Sequence, residues 1–323
     1  FANDPERGLF ILIFLFLLIF LSVFIFFIFH KSENKRKINF FWFSKETAIL
    51  INNWFMMYFL SVILIGTIYP IFLEVLSSEK ISVGPPFYNK LILPFLIPFL
   101  LAMAIGPKLR WIKSDLQNKA NLIIFLIISF LLTVLIIKKL NISFLMNTIL
   151  VTSAFYLFFL TLRDFLIMKF ENLSQNFAHF GFSLLILSIL FNNIFSTEII
   201  TNLKIGETFQ SQKIKINFES VEQKNEQNFK AIIGKFKVEN IDGIVEVLNP
   251  QLRIYNQPNI VTSEADIKTS LLRDIFITMN LVQNQEYFNI RYQIKPFMIW
   301  IWFSVLLISF GGLISIFKKK YEN

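Results

Sequence analysis

The chain has 323 residues, with 31 Lys and Arg against 22 Asp and Glu and a formal net charge of +9. Hydrophobic residues make up 55% of it and charged ones 16%, against roughly 45–50% and about 25% in an ordinary soluble domain. This excludes a disordered chain and argues against a soluble globular one. Cysteine is absent, which excludes disulfides, thiolate metal sites and thioether attachment through the chain's own sulfur. The 41 Phe residues are enriched together with Ile, Lys and Asn, all encoded by A/T-rich codons, so they reflect genome composition rather than a special aromatic surface.

The apolar residues lie in blocks, several of them about 17 to 24 residues long, enough to cross a hydrocarbon core of roughly 30 Å as helix. In chain order they predict membrane helices at Gly8–Phe29, Glu46–Phe72, Leu91–Ile105, Ala120–Ile137, Phe144–Ile167, Phe177–Phe195 and Pro296–Phe317. The expected fold class is therefore a mainly α, polytopic membrane protein. Lys31, Lys35, Arg36, Lys37 and Lys45 follow the first helix, Lys108, Arg110, Lys113 and Lys119 the third, and Lys318, Lys319 and Lys320 close the chain. Those loops are expected on the cytoplasmic or matrix side. The intervening loops carry Lys80 and Lys90, then Lys138 and Lys139, and the alternation continues through Arg163 and Lys169, which starts Phe1 on the outer side.

The second predicted helix contains Gly66 and Pro70, so its outer third, Tyr69 to Leu76, is expected to bend or to run along the interface; the third is short and holds Pro94 and Pro98. Between them, Gly84-Pro85-Pro86 fixes φ twice and is expected to bar helix, as a rigid connector or an outer docking loop. From Ser196 to Lys295 charges return and apolar residues alternate, as in Lys213–Phe218 and Ile244–Leu248, with similar runs at Lys230–Val238 and Gln251–Tyr255. These are strand patterns, separated by turn signals at Asn225, Asp242-Gly243 and Asn249-Pro250. The expected organisation is a transmembrane helical domain of about six helices over residues 1–195. An extracytoplasmic β-rich domain, sandwich or open barrel, follows over 196–295, periplasmic or in the intermembrane space. Residues 296–323 form the final membrane helix and a basic tail.

Only two histidines exist, His30 and His179. His30 stands beside Lys31 at a helix end, where an amphipathic interfacial side chain needs no further explanation. His179 lies inside a membrane block, where an ionisable group is costly and points to function. A hydrogen-bonded structural histidine and a haem ligand both fit, with Gly181 nearby able to admit a flat macrocycle. No phosphate loop, nucleophile elbow, zinc motif or intramembrane carboxylate pair appears, so the catalytic residues are unknown. Asp164 beside Arg163 reads as an interfacial ion pair. Trp300 and Trp302 read as an interfacial anchor, and the basic excess as topology and lipid contact, not nucleic-acid binding.

Several ordered segments carry a resemblance. Asn3–Phe10, Ser44-Lys45-Glu46 with Asn52-Asn53, Gly66–Pro70, Lys80–Phe87, Gly106–Trp111, Ala178–Gly181, Thr262–Ile267, Arg273–Phe276, Arg291-Tyr292 and Lys295–Trp302 together resemble the C-terminal half of the CcmF family, the membrane haem lyases of cytochrome c maturation. The resemblance implies attachment of haem, received from the chaperone CcmE, to apocytochrome c thiols on the outer face. It also implies a membrane b-type haem held by two helix histidines that keeps the incoming haem reduced. His179 matches the second of those ligands, as axial ligand to the haem iron, with the other expected outside this sequence. Implied partners are CcmE, CcmH, CcmI, apocytochrome c, the N-terminal half of the family and, as electron donor, quinol.

The bacterial cytoplasmic membrane, or alternatively the mitochondrial inner membrane, is the implied location. Arg253, Tyr255, Arg273, Asp274, Arg291 and Tyr292 match family positions without a derivable role, and structural packing is the default for each. The sequence starts at Phe1 without a signal peptide and is expected to be part of a longer or split protein. Alone it is not expected to be a competent lyase. The rival readings are a polytopic transporter and a non-catalytic membrane scaffold with an outer docking domain.

Overall fold

A computed structural model of the chain describes residues 5–30, 41–77, 81–112, 119–140, 144–167, 172–211, 214–240, 243, 245–257, 260–282 and 286–321. The expected basic residues Lys31, Lys35, Arg36, Lys37, Lys80, Lys113 and Lys169, the strand-run residues Lys213 and Ile244, and the turn residue Asp242 lie outside these. Among the described residues, seven helices are long and apolar enough to cross a membrane. They are α1 (Pro5–Phe29), α2 (Lys45–Ser77), α3 (Pro85–Ile105), α4 (Lys119–Leu140), α5 (Phe144–Leu166), α6 (Leu173–Phe195) and α7 (Met298–Tyr321). The chain is a polytopic membrane protein with a β domain inserted before its last described helix. It divides into two compact units, Phe1–Arg163 and Asp164–Asn323.

In the first unit, Gly84-Pro85-Pro86 does not bar helix. Gly84 is the N-cap of α3 and the prolines occupy its first turn, which makes α3 21 residues long. The physical reason is positional: the first helical N–H groups have no intrahelical acceptor, so Pro loses nothing there and its fixed φ starts the turn. Pro70, Pro94 and Pro98 are likewise carried inside continuous helices. Gly66 does not break α2; a Cβ there would meet Tyr88 Oη of α3 at 2.7 Å. Aromatic rings fill the rest of that contact, Phe55 on Phe99 at 5.7 Å and Tyr58 on Phe95 at 4.3 Å, and the Tyr58 hydroxyl donates to Leu91 O at 3.0 Å.

The start of α2 is capped by Ser44, whose Oγ accepts from Thr47 N at 3.2 Å. Here two separate sequence motifs meet. Lys45 N donates to Arg110 O at 2.9 Å, and both Glu46 carboxylate oxygens accept from Ile112 N at 3.0 and 3.1 Å. Gly106–Lys108 forms a single 3-10 turn leading into that clasp, and Ile112 takes φ 70°, a left-handed conformation costly for a β-branched residue.

Among the described residues, the second unit holds α6, α7 and ten strands: β1 (Thr197–Leu203), β2 (Thr208–Gln210), β3 (Ile214–Asn225), β4 (Phe229–Asn240), β5 (Val245–Leu248), β6 (Gln251–Tyr255), β7 (Val261–Glu264), β8 (Asp266–Thr269), β9 (Arg273–Leu281) and β10 (Phe288–Pro296). One sheet has the order β1-β10-β9-β8; the other runs β2-β3-β4-β6-β7 with β5 also on β4. Every pairing is antiparallel. Between the sheets lies one core, with Ile275, Ile277, Met279, Ile290 and Tyr292 from the first facing Ile216, Phe218, Phe236, Val238, Leu248 and Leu252 from the second. This is a sandwich, which resolves the sandwich-or-barrel alternative.

Cross-strand partners Phe218 and Phe236 stack at 4.3 Å, and Phe288 of the opposite sheet meets Phe218 edge-on at 5.4 Å. Such aromatic pairs add about 0.5–1.5 kcal/mol beyond their area. A bulge between Phe218 and Ser220 explains how β3 keeps its apolar face inward. Even positions Ile214, Ile216 and Phe218 are buried before it and odd Val221 packs on the core after it, because one extra residue reverses the parity of a strand.

The sandwich joins its helices through a compact junction. The last helix begins at Met298, not Pro296; Pro296 ends β10 and Phe297 turns the chain with φ 60°. Phe297 N donates to Leu272 O at 2.9 Å, Trp300 Nε1 to Leu271 O at 2.9 Å, and Asn192 Nδ2 of α6 to Pro296 O at 2.6 Å. The Phe297 ring packs on Phe191 at 5.2 Å.

Candidate functional site

The candidate site is built on the α6–α7 pair. Ser174, Ala178 and Gly181 recur at helical spacing along α6 and form a face of small residues. A Cβ on Gly181 would meet Ile308 Cγ1 at 2.9 Å and Ile308 N at 3.0 Å; one on Gly311 would meet Ala178 N at 2.8 Å and Ser174 O at 2.9 Å. Ser174 Oγ adds an interhelical hydrogen bond to Gly311 O at 2.8 Å. The two backbones touch, so Gly181 does not offer a flat surface to a macrocycle: its open side is filled by α7.

His179 follows Ala178 by one residue, which turns it about 100° around the helix from that packed face. It lies six residues into α6, about 9 Å along the axis, within the span that is long and apolar enough to cross a membrane. Its side chain is partly buried. Nδ1 is buried and has no hydrogen-bond partner among the described residues, whereas buried polar atoms are ordinarily paired. Asp164 is close enough to act on the imidazole electrostatically, and its backbone O accepts from Asn176 Nδ2 at 3.3 Å. Phe165 stacks on Phe180 at 4.7 Å and meets Phe177 edge-on at 5.0 Å, while Phe177 meets Phe310 at 5.2 Å. These rings make an apolar collar at the entry end of α6.

An imidazole with an unpaired buried nitrogen on an apolar helix fits one axial position of a haem iron. Among the described residues no group of three or more His, Cys, Asp or Glu converges on a metal position, so a ligand cage of several side chains is not offered there. His30 is exposed at the end of α1, its ring 4.8 Å from Phe26.

The matched positions of the β domain have packing and pairing roles. Arg253 lies over the Phe229 ring at 4.9 Å and donates to Gln251 Oε1; Tyr255 meets Phe229 at 5.3 Å. Arg291 pairs with Glu198, whose carboxyl is held below its ordinary range by that hydrogen bond. Tyr292 is 1% exposed, and burial, then the nearby Glu246 carboxylate, push its phenol up to about 12. Its hydroxyl, Glu246 Oε2 and Asp274 Oδ1 are buried without partners among the described residues, and burial raises the Asp274 carboxyl as well. Sequence reasoning misses Glu74, a buried carboxylate near the end of α2. The signal that could have found it is an acid that follows a long apolar run, in the last turn of a 33-residue helix.

Comparison with known proteins agrees with this architecture. Residues 194–296 match the family model described as the CcmF C-terminal beta-sandwich, which spans β1 to β10. The chain is 28% identical over 336 residues to the cytochrome c-type biogenesis protein CcmF of Pseudomonas fluorescens, and 28% identical over 333 residues to CcmF of Escherichia coli (strain K12); each match takes in 100% of this chain and 51% of the relative. The solved structure described as "Cytochrome c Heme Lyase CcmF" shares its fold with a TM-score of 0.67 at 20% identity, over 85% of this chain and 46% of that one. The chain spans about half the length of the curated relatives it matches. It resembles the half of CcmF that carries the C-terminal sandwich, as its ordered motifs imply.

Proposed function

We propose that this chain is a haem-handling component of a membrane haem lyase in cytochrome c maturation, with His179 as one axial ligand of a membrane b-type haem. The observation that carries the reading is the buried, unpaired His179 nitrogen on a membrane-spanning helix, in a chain whose relatives are cytochrome c-type biogenesis proteins. A haem bound there would supply one-electron chemistry. The chain's own residues would do two things. His179 would hold the haem iron, with a second ligand supplied by the other half of a CcmF-length protein. The Gly181–Gly311 contact fixes the α6 backbone on which the imidazole stands.

The positive-inside reading places the sandwich on the outer side of the membrane, where thioether bonds to the Cys thiols of an apocytochrome would form. With no cysteine of its own, the chain leaves those thiols to the substrate. The partners in this reading are the haem chaperone CcmE, CcmH, CcmI, apocytochrome c and the other half of a CcmF-length protein, with quinol as electron source. The bacterial relatives support the bacterial cytoplasmic membrane as its place. The test is a reduced-minus-oxidised spectrum of the chain co-purified with that other half, as wild type and as His179→Ala. A b-type signal lost in a still-folded His179→Ala protein supports the reading. A haem-free wild type, or an unchanged mutant spectrum, overturns it.

A further inference from the structure

We propose that the β8–β9 turn, through Leu271 and Leu272, is a membrane-contacting tip that inserts into the bilayer interface beside the start of α7. A turn at the end of a sandwich is ordinarily polar. This one presents two leucines that are 69% and 67% exposed. They are unable to tuck inward, because the turn is closed on both sides by its neighbours. Ser270 N donates to Arg273 O at 3.0 Å, Ser270 Oγ to the same oxygen at 2.6 Å, and Arg273 N to Ser270 Oγ at 3.2 Å.

The height of the tip is set by the helix. Both leucine carbonyls are occupied by the beginning of α7, Leu271 O by the Trp300 indole N–H and Leu272 O by Phe297 N, each at 2.9 Å. Phe297 and Trp300 are where the chain passes from sandwich to membrane-spanning helix, and the neighbouring Trp302 presents its own indole outward, 66% exposed. The turn is therefore pinned at the level at which α7 enters the lipid, and its exposed leucines continue the apolar surface of that helix. Apolar side chains at that depth partition into the headgroup and acyl-chain boundary. The Trp300 indole, expected to be a bilayer anchor, commits its N–H to the turn instead and holds the tip in place. The occupant of the patch is thus the lipid surface itself.

The chain lacks cysteine, so single labels are unambiguous. Leu271→Cys and Leu272→Cys, each keeping the other leucine, are labelled with an environment-sensitive fluorophore in the full chain and reconstituted in phosphatidylcholine–phosphatidylglycerol vesicles. Leu281→Cys is the control: it is also an exposed leucine but stands at the far end of the 9-residue β9, about 27 Å from the turn. The expected result is blue-shifted emission at 271 and 272, most of it lost to spin-labelled lipid and protected from iodide, with the opposite pattern at 281. Quenching of 271 and 272 by iodide and not by lipid overturns the proposal. Protection from both quenchers, which means that protein covers the tip, overturns it equally.

Discussion

Adjacent glycines on α7 allow one contact to be tested against itself. Gly311 lies against α6, where an added Cβ would stand 2.8 Å from Ala178 N and 2.9 Å from Ser174 O; Gly312 has nothing within 4 Å. Real Cβ contacts are rarely under 3.4 Å, so Gly311→Ala requires the helices to part by about half an ångström. The obstructing atoms are backbone, which has no rotamer to escape into. Overpacking of this kind costs about 1–3 kcal/mol. Both Gly311→Ala and Gly312→Ala gain the same helix propensity, about 0.8–1.0 kcal/mol in an aqueous helix, so the difference between the two isolates the steric cost. Gly312→Ala is expected to be the more stable by about 1–3 kcal/mol, or roughly 5- to 150-fold in the unfolding equilibrium. The assay is denaturing-detergent titration of each variant, followed by near-ultraviolet circular dichroism. Equal midpoints for the two variants would refute the close approach of α6 and α7.

Tyr292 and Ile112 each give a further outcome. The phenol of Tyr292 is raised from about 10 to about 12, so the folded state keeps a proton that the unfolded chain has begun to lose. Its contribution is complete below pH 10 and is lost as pH rises from 10 through 12, by up to about 3 kcal/mol. Wild type should therefore lose stability relative to Tyr292→Phe over that window, while at pH 7 removing a buried hydroxyl without a partner among the described residues is expected to be neutral or stabilising; parallel melting curves against pH check both. Ile112 is 66% exposed with φ 70°, so Ile112→Gly gives up little packing. Relief of about 1–2 kcal/mol of backbone strain outweighs the added freedom of the unfolded chain, about 0.4–1 kcal/mol, and a raised melting temperature is the expected reading.

The helices were legible because lipid demands length and apolar composition, and both are local properties of sequence. Strands β3 to β6 were legible for a similar reason: Lys213–Phe218 and its neighbours alternate and are punctuated by turn signals. β9 was less so, because Phe276 on its outer face interrupts the polar half of the alternation. β10 alternates without a break from Phe288 to Lys295, so its strand signal was present in the sequence. The Pro85-Pro86 pair misled because proline breaks a helix only from within; whether a position is interior or initial is not written in the dipeptide. His179 stood out as an ionisable residue in an apolar block. The use of Gly181 did not, since its partner Ile308 lies on a helix more than a hundred residues later, and only the pairing of α6 with α7 reveals it.

The pairing of β1 with β10, Thr197 against Ile294, brings together residues separated by nearly the whole inserted domain. Closing such a loop of about 100 residues in a free chain costs roughly 4 kcal/mol of configurational entropy. Here the ends are brought side by side by α6 and α7, which pack on one another through Gly181 and Gly311. The helical hairpin thus acts as a template that relieves the β domain of its longest-range search, and a lesion between the helices is transmitted to the sandwich as a longer effective loop. Folding of the β domain and integrity of the α6–α7 contact are in this way coupled, although the two share no core.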